Sequence, residues 1–335
     1  MGVFAPLHRN QYLGALPRSV VHGFGLRRYL PKTGQIMMLP NQLIAKRAIG
    51  QWDPKIVHET YYSRTSSAPK KALTVVTVYD MIHEKFPQWI SPWDRTLSLK
   101  RIAVKRADHV ICISESTRRD LLDLLQIDER KVSVVHLGSE RLVGHAQSQS
   151  TVQSQTRPYL LYVGARPGHK NFPGFLHAFS LSNRLRADFD VVAFGGGAFS
   201  PTELQVMAKH GFRSNQVRQI SGNDELLGRL YDNAKAFICP SLYEGFGLPP
   251  LEAMVHRCPV VSSNSSSLPE VIGDAGELFD PTSSDDMAGA IERVVYSASR
   301  IKELVTKGYQ RQAQFTWERC ANQTLGIYRQ MVNAA

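Results

Sequence analysis

Glu244 and Glu252 stand with seven residues between them in Tyr243-Glu244-Gly245-Phe246-Gly247-Leu248-Pro249-Pro250-Leu251-Glu252. Carboxylates at the rim of a crevice accept hydrogen bonds from ligand hydroxyls, as an acidic residue does with a ribose in dinucleotide folds. The glycines between them let backbone N–H groups approach a ligand, and the helix that should start near Leu248 favours an anion at its N-terminus. Proline in that first turn is tolerated, because the early N–H groups have no intrahelical partner. A second set is Arg166 and Lys170, four apart in the stretch YVGARPGHKN, where two cations at the end of an apolar run are placed to hold phosphate. A third is Gly195 and Gly196 within FGGG, which on its own is weak evidence because it is not a GxGxxG fingerprint. Taken singly, each set also fits an ordinary turn with solvated charges. The three together supply hydroxyl acceptors, cations and open backbone in one half of the chain.

The elements that must position these residues are legible as eight short apolar runs, at 73–80, 108–115, 131–139, 158–165, 189–197, 216–222, 234–241 and 258–264. Near-continuous apolar runs suit strands buried on both faces of a parallel sheet. Amphipathic stretches lie between them, among them 95–107 and 116–125, the latter with Ser116 as N-cap. Such alternation predicts doubly wound α/β sheets. The polar, Ser- and Gln-rich stretch from 143 to 157 reads as a linker. It divides a first domain at 1–142 from a second domain at 158–314, and 315–335 reads as a helix crossing back, with Trp317 as packing anchor beside Leu325, Tyr328 and Met331.

The 335 residues carry a net charge of +11, placed unevenly. Residues 1–150 hold 22 Lys and Arg against 12 Asp and Glu, and the remainder hold 18 against 17. The first half should therefore meet an anionic partner. Lys100, Arg101, Lys105 and Arg106 on one helix are the expected docking face for an anionic membrane surface. Nucleic acid is disfavoured, since the basic residues are spread out with little aromatic interleaving. An NAD-type oxidoreductase is disfavoured by the lack of GxGxxG after an early strand. No apolar run reaches the ~18 residues of a membrane span, and no signal peptide is evident. Cys112, Cys239, Cys258 and Cys320 form no CxxC or disulfide pattern, so a cytoplasmic setting is expected.

The order YVGARPGHKNF, FGGG, LYDNAKAFICPSLYEGFGLPPLEAM and SSLPEVIGDAGELFDP resembles the donor-binding domain of the family 4 retaining glycosyltransferases. The likeness reaches back through ICISESTRRDLL and TVYDMIHEKFP, and is closest to bacterial mannosyltransferases that use GDP-mannose. The resemblance implies an α/β protein of GT-B fold, with two Rossmann-like domains facing a cleft. It implies a nucleotide-sugar donor, a glycan or lipid-linked acceptor in cell-surface polysaccharide synthesis, and no metal or other cofactor. Carried over by position, Arg166 and Lys170 bind the donor diphosphate and Glu244 binds the donor sugar. Phe246, Gly247 and Leu248 offer backbone N–H groups, and Glu252 holds the ribose. Gly195, Gly196, Gly222 and Leu226 border the nucleotide, and His83 sits at the cleft near the sugar. Asp188-Phe189-Asp190 has the form of a metal motif found in other glycosyltransferases, but it stands at the start of a predicted strand, away from the crevice.

The sequence departs from the family in two places. The opening strand, Gly-Gly loop and Arg-bearing helix are not recognisable in MGVFAPLHRNQYL, so the first domain is expected to be incomplete. An incomplete domain keeps open an alternative, a degenerate member that needs a partner. Arg257 also stands where the family carries glycine, and a positive φ there would cost it roughly 1 kcal/mol.

Overall fold

The structure, a computed structural model, describes residues 1–8, 10–26, 34–142, 157–166 and 168–335. The linker expected at 143–157 lies outside these residues except for Arg157. All eight apolar runs are strands. Leu73–Val78 (β4), His109–Cys112 (β5) and Val132–Val134 (β6) join Ile56–Glu59 (β3) in a parallel sheet of order β3-β4-β5-β6. Tyr159–Val163 (β7), Asp190–Phe194 (β8), Val217–Ile220 (β9), Ala236–Cys239 (β10) and Val260–Ser263 (β11) join Gly276–Phe279 (β12) in a second parallel sheet, β12-β11-β10-β7-β8-β9. Strands β7, β8, β10 and β11 are buried almost throughout, as expected of strands covered on both faces.

The order of the second sheet locates the crevice. From β7 the chain runs outward through β8 and β9, then returns to lay β10 on the other side of β7. Leu160 and Leu161 pair with Ala236 and Phe237. The loops leaving the C-terminal ends of β7 and β10 therefore leave side by side, at a topological switch point where such sheets bind ligands.

The first half was expected to lack its opening strand, and the structure corrects this. Val3–His8 (β1) is an opening strand after all, paired in parallel with Val21–Gly25 (β2). The pair is separate from the four-stranded sheet. An open cavity of about 620 Å³ lies between β1 and β3, lined by Phe4, Ile49, Trp52, His58, Leu325 and Tyr328 among others. The loop after β1 carries Gly14 and no Gly-Gly pair.

Three sequence expectations need correction. The Glu115–Leu125 helix is capped by Ser114, whose side chain accepts from Thr117 N, and Ser116 lies inside the helix. The expected basic face of Thr96–Arg106 is only half formed. Lys100 is 1% exposed, with Nζ donating to Glu84 (2.8 Å) and to Asp80 O (2.7 Å). Arg106 pairs with Glu59, which leaves Arg101 and Lys105 exposed. Finally, Trp317 is 48% exposed and does not anchor its helix, Trp317–Ala334. Cys320, Ile327, Tyr328 and Met331 do so, packing on Val75, Ile111 and Val135 of the four-stranded sheet.

The chain passes between the halves at two adjoining points. Ser139 N donates to Phe315 O at 3.0 Å, and a Cβ on Gly138 would overlap the Trp317 backbone.

Candidate functional site

Three bonds tie the loop after β7 to the loop after β10. Leu242 N donates to His169 O (2.7 Å), Asn171 Nδ2 donates to Pro240 O (3.1 Å), and Lys170 Nζ donates to Glu244 Oε1 (2.6 Å). Ser241 Oγ also donates to Glu244 Oε1, at 2.7 Å. Burial by itself would lower the Lys170 pKa, but the charge and hydrogen bond of Glu244 outweigh it and hold the value above the ordinary one. The ammonium is therefore a fixed cation at the switch point, and the carboxylate stands beside it.

The Glu244–Leu248 loop is shaped by hydroxyls that the motifs did not single out. Ser266 Oγ accepts from Glu244 N at 2.8 Å. Ser267 Oγ donates toward Glu244 O (2.8 Å) and Phe246 O (2.6 Å). Gly247, at φ 128°, turns the chain into the Leu248–Val255 helix in a conformation that favours glycine. Pro249 and Pro250 carry no N–H, so the backbone donors at this helix start are those of residues up to Leu248.

Arg166 lies elsewhere than expected. It is 3% exposed, and its guanidinium turns inward to Glu203 (Nε to Oε1, 2.5 Å), Gly195 O (2.9 Å) and Ala198 O (2.9 Å), stacked over the Phe199 ring. It wraps the loop of Gly195 and Gly196, both at positive φ, and a Cβ on Gly196 would come within 2.7 Å of Arg166 Nη1. Of the two cations, Lys170 meets Glu244 at the switch point, while Arg166 holds the glycine loop. The partner that turns Arg166 inward, Glu203, lies on the distant Pro201–Lys209 helix, so spacing could not reveal it.

The other residues expected to bind donor lie on the loop after β9 and on the helices Asp224–Asn233 and Leu248–Val255. Gly222 follows β9, and a Cβ there would come 2.5 Å from Leu226 Cδ2, so the two are in close contact. Leu226 sits in the first turn of Asp224–Asn233, which Asn223 caps. Glu252 Oε2 accepts from Tyr231 OH at 3.2 Å. Burial raises the Glu252 pKa above the ordinary carboxylate value, with Tyr231 opposing and Asp224 adding to the rise. From the first half, Tyr12 OH reaches across to Asp224 Oδ2 at 3.0 Å.

The opposite wall comes from the turn after β4. Tyr79 O and Asp80 abut Gly245, where a Cβ would overlap Tyr79 O and stand 2.9 Å from Asp80 Cβ. His83 contacts Asp94 (3.3 Å), and its Nδ1 is buried without a partner among the described residues. Burial lowers the His169 pKa, and the neighbouring Lys170 ammonium adds to the fall while Glu244 and Asp80 oppose it. Asp80 and His169 stand beside Gly245 and Leu242 in this constellation, although neither spacing nor residue type marked them out from neighbouring polar residues. Asp190 is not: Arg157, Arg213 and Arg218 surround its carboxylate at the N-terminal end of β8, at the far end of the strand from the crevice.

Comparisons with known proteins agree with this geometry. The description "Glycosyltransferase Family 4" matches residues 3–140, and "Glycosyl transferases group 1" matches residues 145–311. O-antigen chain mannosyltransferase B of Escherichia coli is 29% identical over 266 residues, covering 76% of this chain and 70% of that protein. Sucrose-phosphate synthase from Thermosynechococcus elongatus superposes with a TM-score of 0.73 at 20% identity, covering 96% of this chain and 86% of that one. A glycosyltransferase from Rickettsia africae gives 0.70 at 16% identity, covering 97% and 89%. With parallel sheets meeting at a crevice and both halves matched, the chain belongs to the family 4 glycosyltransferases and is a glycosyltransferase of GT-B fold.

Proposed function

We propose that this glycosyltransferase moves mannose from a nucleoside diphosphate sugar, GDP-mannose, to a glycan or lipid-linked acceptor in cell-surface polysaccharide synthesis, with retention of configuration. The observation that carries the reading is the Lys170–Glu244 pair at the switch point, a fixed cation and a hydroxyl acceptor 2.6 Å apart. Mannose is supported by the similarity to the O-antigen mannosyltransferase.

In this reading the bond between the sugar's anomeric carbon and the diphosphate oxygen breaks, and its electron pair leaves with the diphosphate. Lys170 and the N–H groups of Phe246, Gly247 and Leu248 stabilise the charge where it develops. The acceptor hydroxyl attacks from the same face, and its proton passes to the departing phosphate. Glu244 orients the sugar through its hydroxyls, and Glu252 holds the ribose. Gly195, Gly196, Gly222 and Leu226 border the nucleotide, while Asp80 and His83 close the sugar side. With the diphosphate charge met this way, transfer needs no metal, and a chelator should leave the rate unchanged.

We read the two larger sheets as two domains divided at 143–157, with 315–335 returning to the first. Cytoplasmic placement with peripheral contact to an anionic membrane is part of the proposal. It rests on the basic surplus of residues 1–150 and on exposed Arg101 and Lys105. Thermal-shift screening with GDP, UDP and ADP, then with their sugars, tests the donor. Glu244→Ala should lower transfer by roughly 100-fold or more and leave nucleotide binding nearly intact. A fully active Glu244→Ala, or no shift with any nucleotide, would overturn the reading.

A further inference from the structure

The loop that carries Phe246, Gly247 and Leu248 is held from both sides of the cleft. From its own half, Ser267 binds the carbonyls of Glu244 and Phe246. The carbonyl between them, Gly245 O, is bound from the other half. Ser114 Oγ donates to it at 2.7 Å, and Thr117 Oγ1 lies 3.1 Å from it and 3.0 Å from Ser114 Oγ. Ser114 and Thr117 are both fully buried. Each hydroxyl has one proton. With the Ser114 proton on Gly245 O, the Thr117 proton goes either to the same oxygen or to Ser114 Oγ, and either choice fixes the carbonyl.

A trans peptide is planar, so fixing a C=O fixes the following N–H in the opposite direction. Gly245 O therefore sets the direction of Phe246 N–H. This donor of the loop owes its aim to side chains of the other half.

The arrangement is reciprocal. The Glu115–Leu125 helix has its first N–H groups capped across the same cleft. Glu115 N and Ser116 N donate to the Glu270 carboxylate at 2.9 and 3.2 Å, and His136 Nε2 contacts that carboxylate at 2.7 Å. Thr117 N is taken by Ser114. The bonds that satisfy this helix and the bond that aims the loop form together when the halves close.

We propose that Ser114 and Thr117 are positioning residues for sugar transfer, which aim Phe246 N–H at the departing diphosphate only when the two halves are closed. The inference rests on the reading of Phe246–Leu248 as donor contacts. Closure then completes the electrostatic site as well as excluding water, and an open enzyme with bound donor leaves the sugar unactivated.

The test uses the full chain and the Ser114→Ala/Thr117→Val double variant, with Thr117→Ser and Ser114→Thr as conservative partners. Removing one donor of this kind costs roughly 10²–10³ in rate, and misaiming it should cost about 10-fold or more. The double variant should lose that much in kcat while KM for the donor and affinity for GDP stay within about 3-fold. The conservative variants should recover most of the rate. Amide hydrogen exchange at Phe246 and Gly247, measured without ligand, should quicken in the double variant. This exchange readout stands apart from the donor assignment, which Glu244→Ala tests separately. Thr117→Val alone keeps the Ser114 cap and is read the same way if the double variant does not fold. Unchanged kcat with unchanged exchange would overturn the inference. So would a rate loss that the hydroxyl-bearing variants do not recover.

Discussion

Gly245→Ala tests whether the cleft works as a closed unit. The added methyl would overlap Tyr79 O and press to 2.9 Å from Asp80 Cβ. Neither atom can swing aside, because one is backbone and the other is the root of a side chain. Restoring ordinary contact requires the loop and the opposite wall to part by ~1 Å or more, and a misplacement of ~1 Å costs about 100-fold in rate. The expected result is a fall in kcat/KM of about that size, equivalent to ~2.7 kcal/mol of transition-state stabilisation. Affinity for GDP should change little, since the atoms nearest the added methyl belong to Tyr79 and Asp80 and not to Gly222, Leu226 or Glu252. Initial rates of sugar transfer, with isothermal titration of GDP, measure both quantities. A variant whose kcat/KM stays within about 3-fold of the parent would refute the reasoning.

Two further outcomes follow from local geometry. Glu252 is harder to ionise than an ordinary carboxyl because it is buried, with Asp224 reinforcing the effect and Tyr231 opposing it. A ribose hydroxyl donates more strongly to the ionised form, so nucleotide affinity should rise as pH climbs from the ordinary carboxylate range toward neutrality. Titrations across that range should show the rise in the parent and a flat profile in Glu252→Gln. Arg257 has φ 56°, a conformation that costs a non-glycine residue roughly 1 kcal/mol, against a cation–π contact with Tyr309 at 5.4 Å worth ~0.5 kcal/mol. Arg257→Gly should therefore raise the melting temperature by about 1–2 °C without changing transfer, and a lowered one would show that the Tyr309 contact dominates.

The sequence revealed most where burial is two-sided. The runs that became β4, β7, β8, β10 and β11 are apolar because both faces of their sheets are covered. Strands β1, β2, β3 and β12 escaped notice for separate reasons. Pro6 interrupts β1, β2 contains Gly23 and Gly25, and β3 and β12 are edge strands with only partial burial. At the site, Lys170 and Glu244 could be chosen because each follows a strand. Their contact depends on β10 returning to the side of β7, a long-range event that local pattern does not encode. Charged residues misled for the same reason. Arg166, Lys100 and Arg106 look solvated by spacing, but each meets a glutamate from a different element, Glu203, Glu84 or Glu59. Ser114 and Thr117 look like an ordinary helix start until Gly245 is brought against them.

The two adjoining passages of the chain, held by the bond from Ser139 to Phe315, limit how the enzyme can move. A single linker would let the halves twist, slide or swing apart. Two straps lying side by side leave rotation about the line that joins them as the one easy motion, as in a door hung on paired pins. Sliding one half past the other would break the Ser139–Phe315 bond and drag Gly138 into the Trp317 backbone. A hinge of this kind would return Ser114 to Gly245 in the same register at each closure.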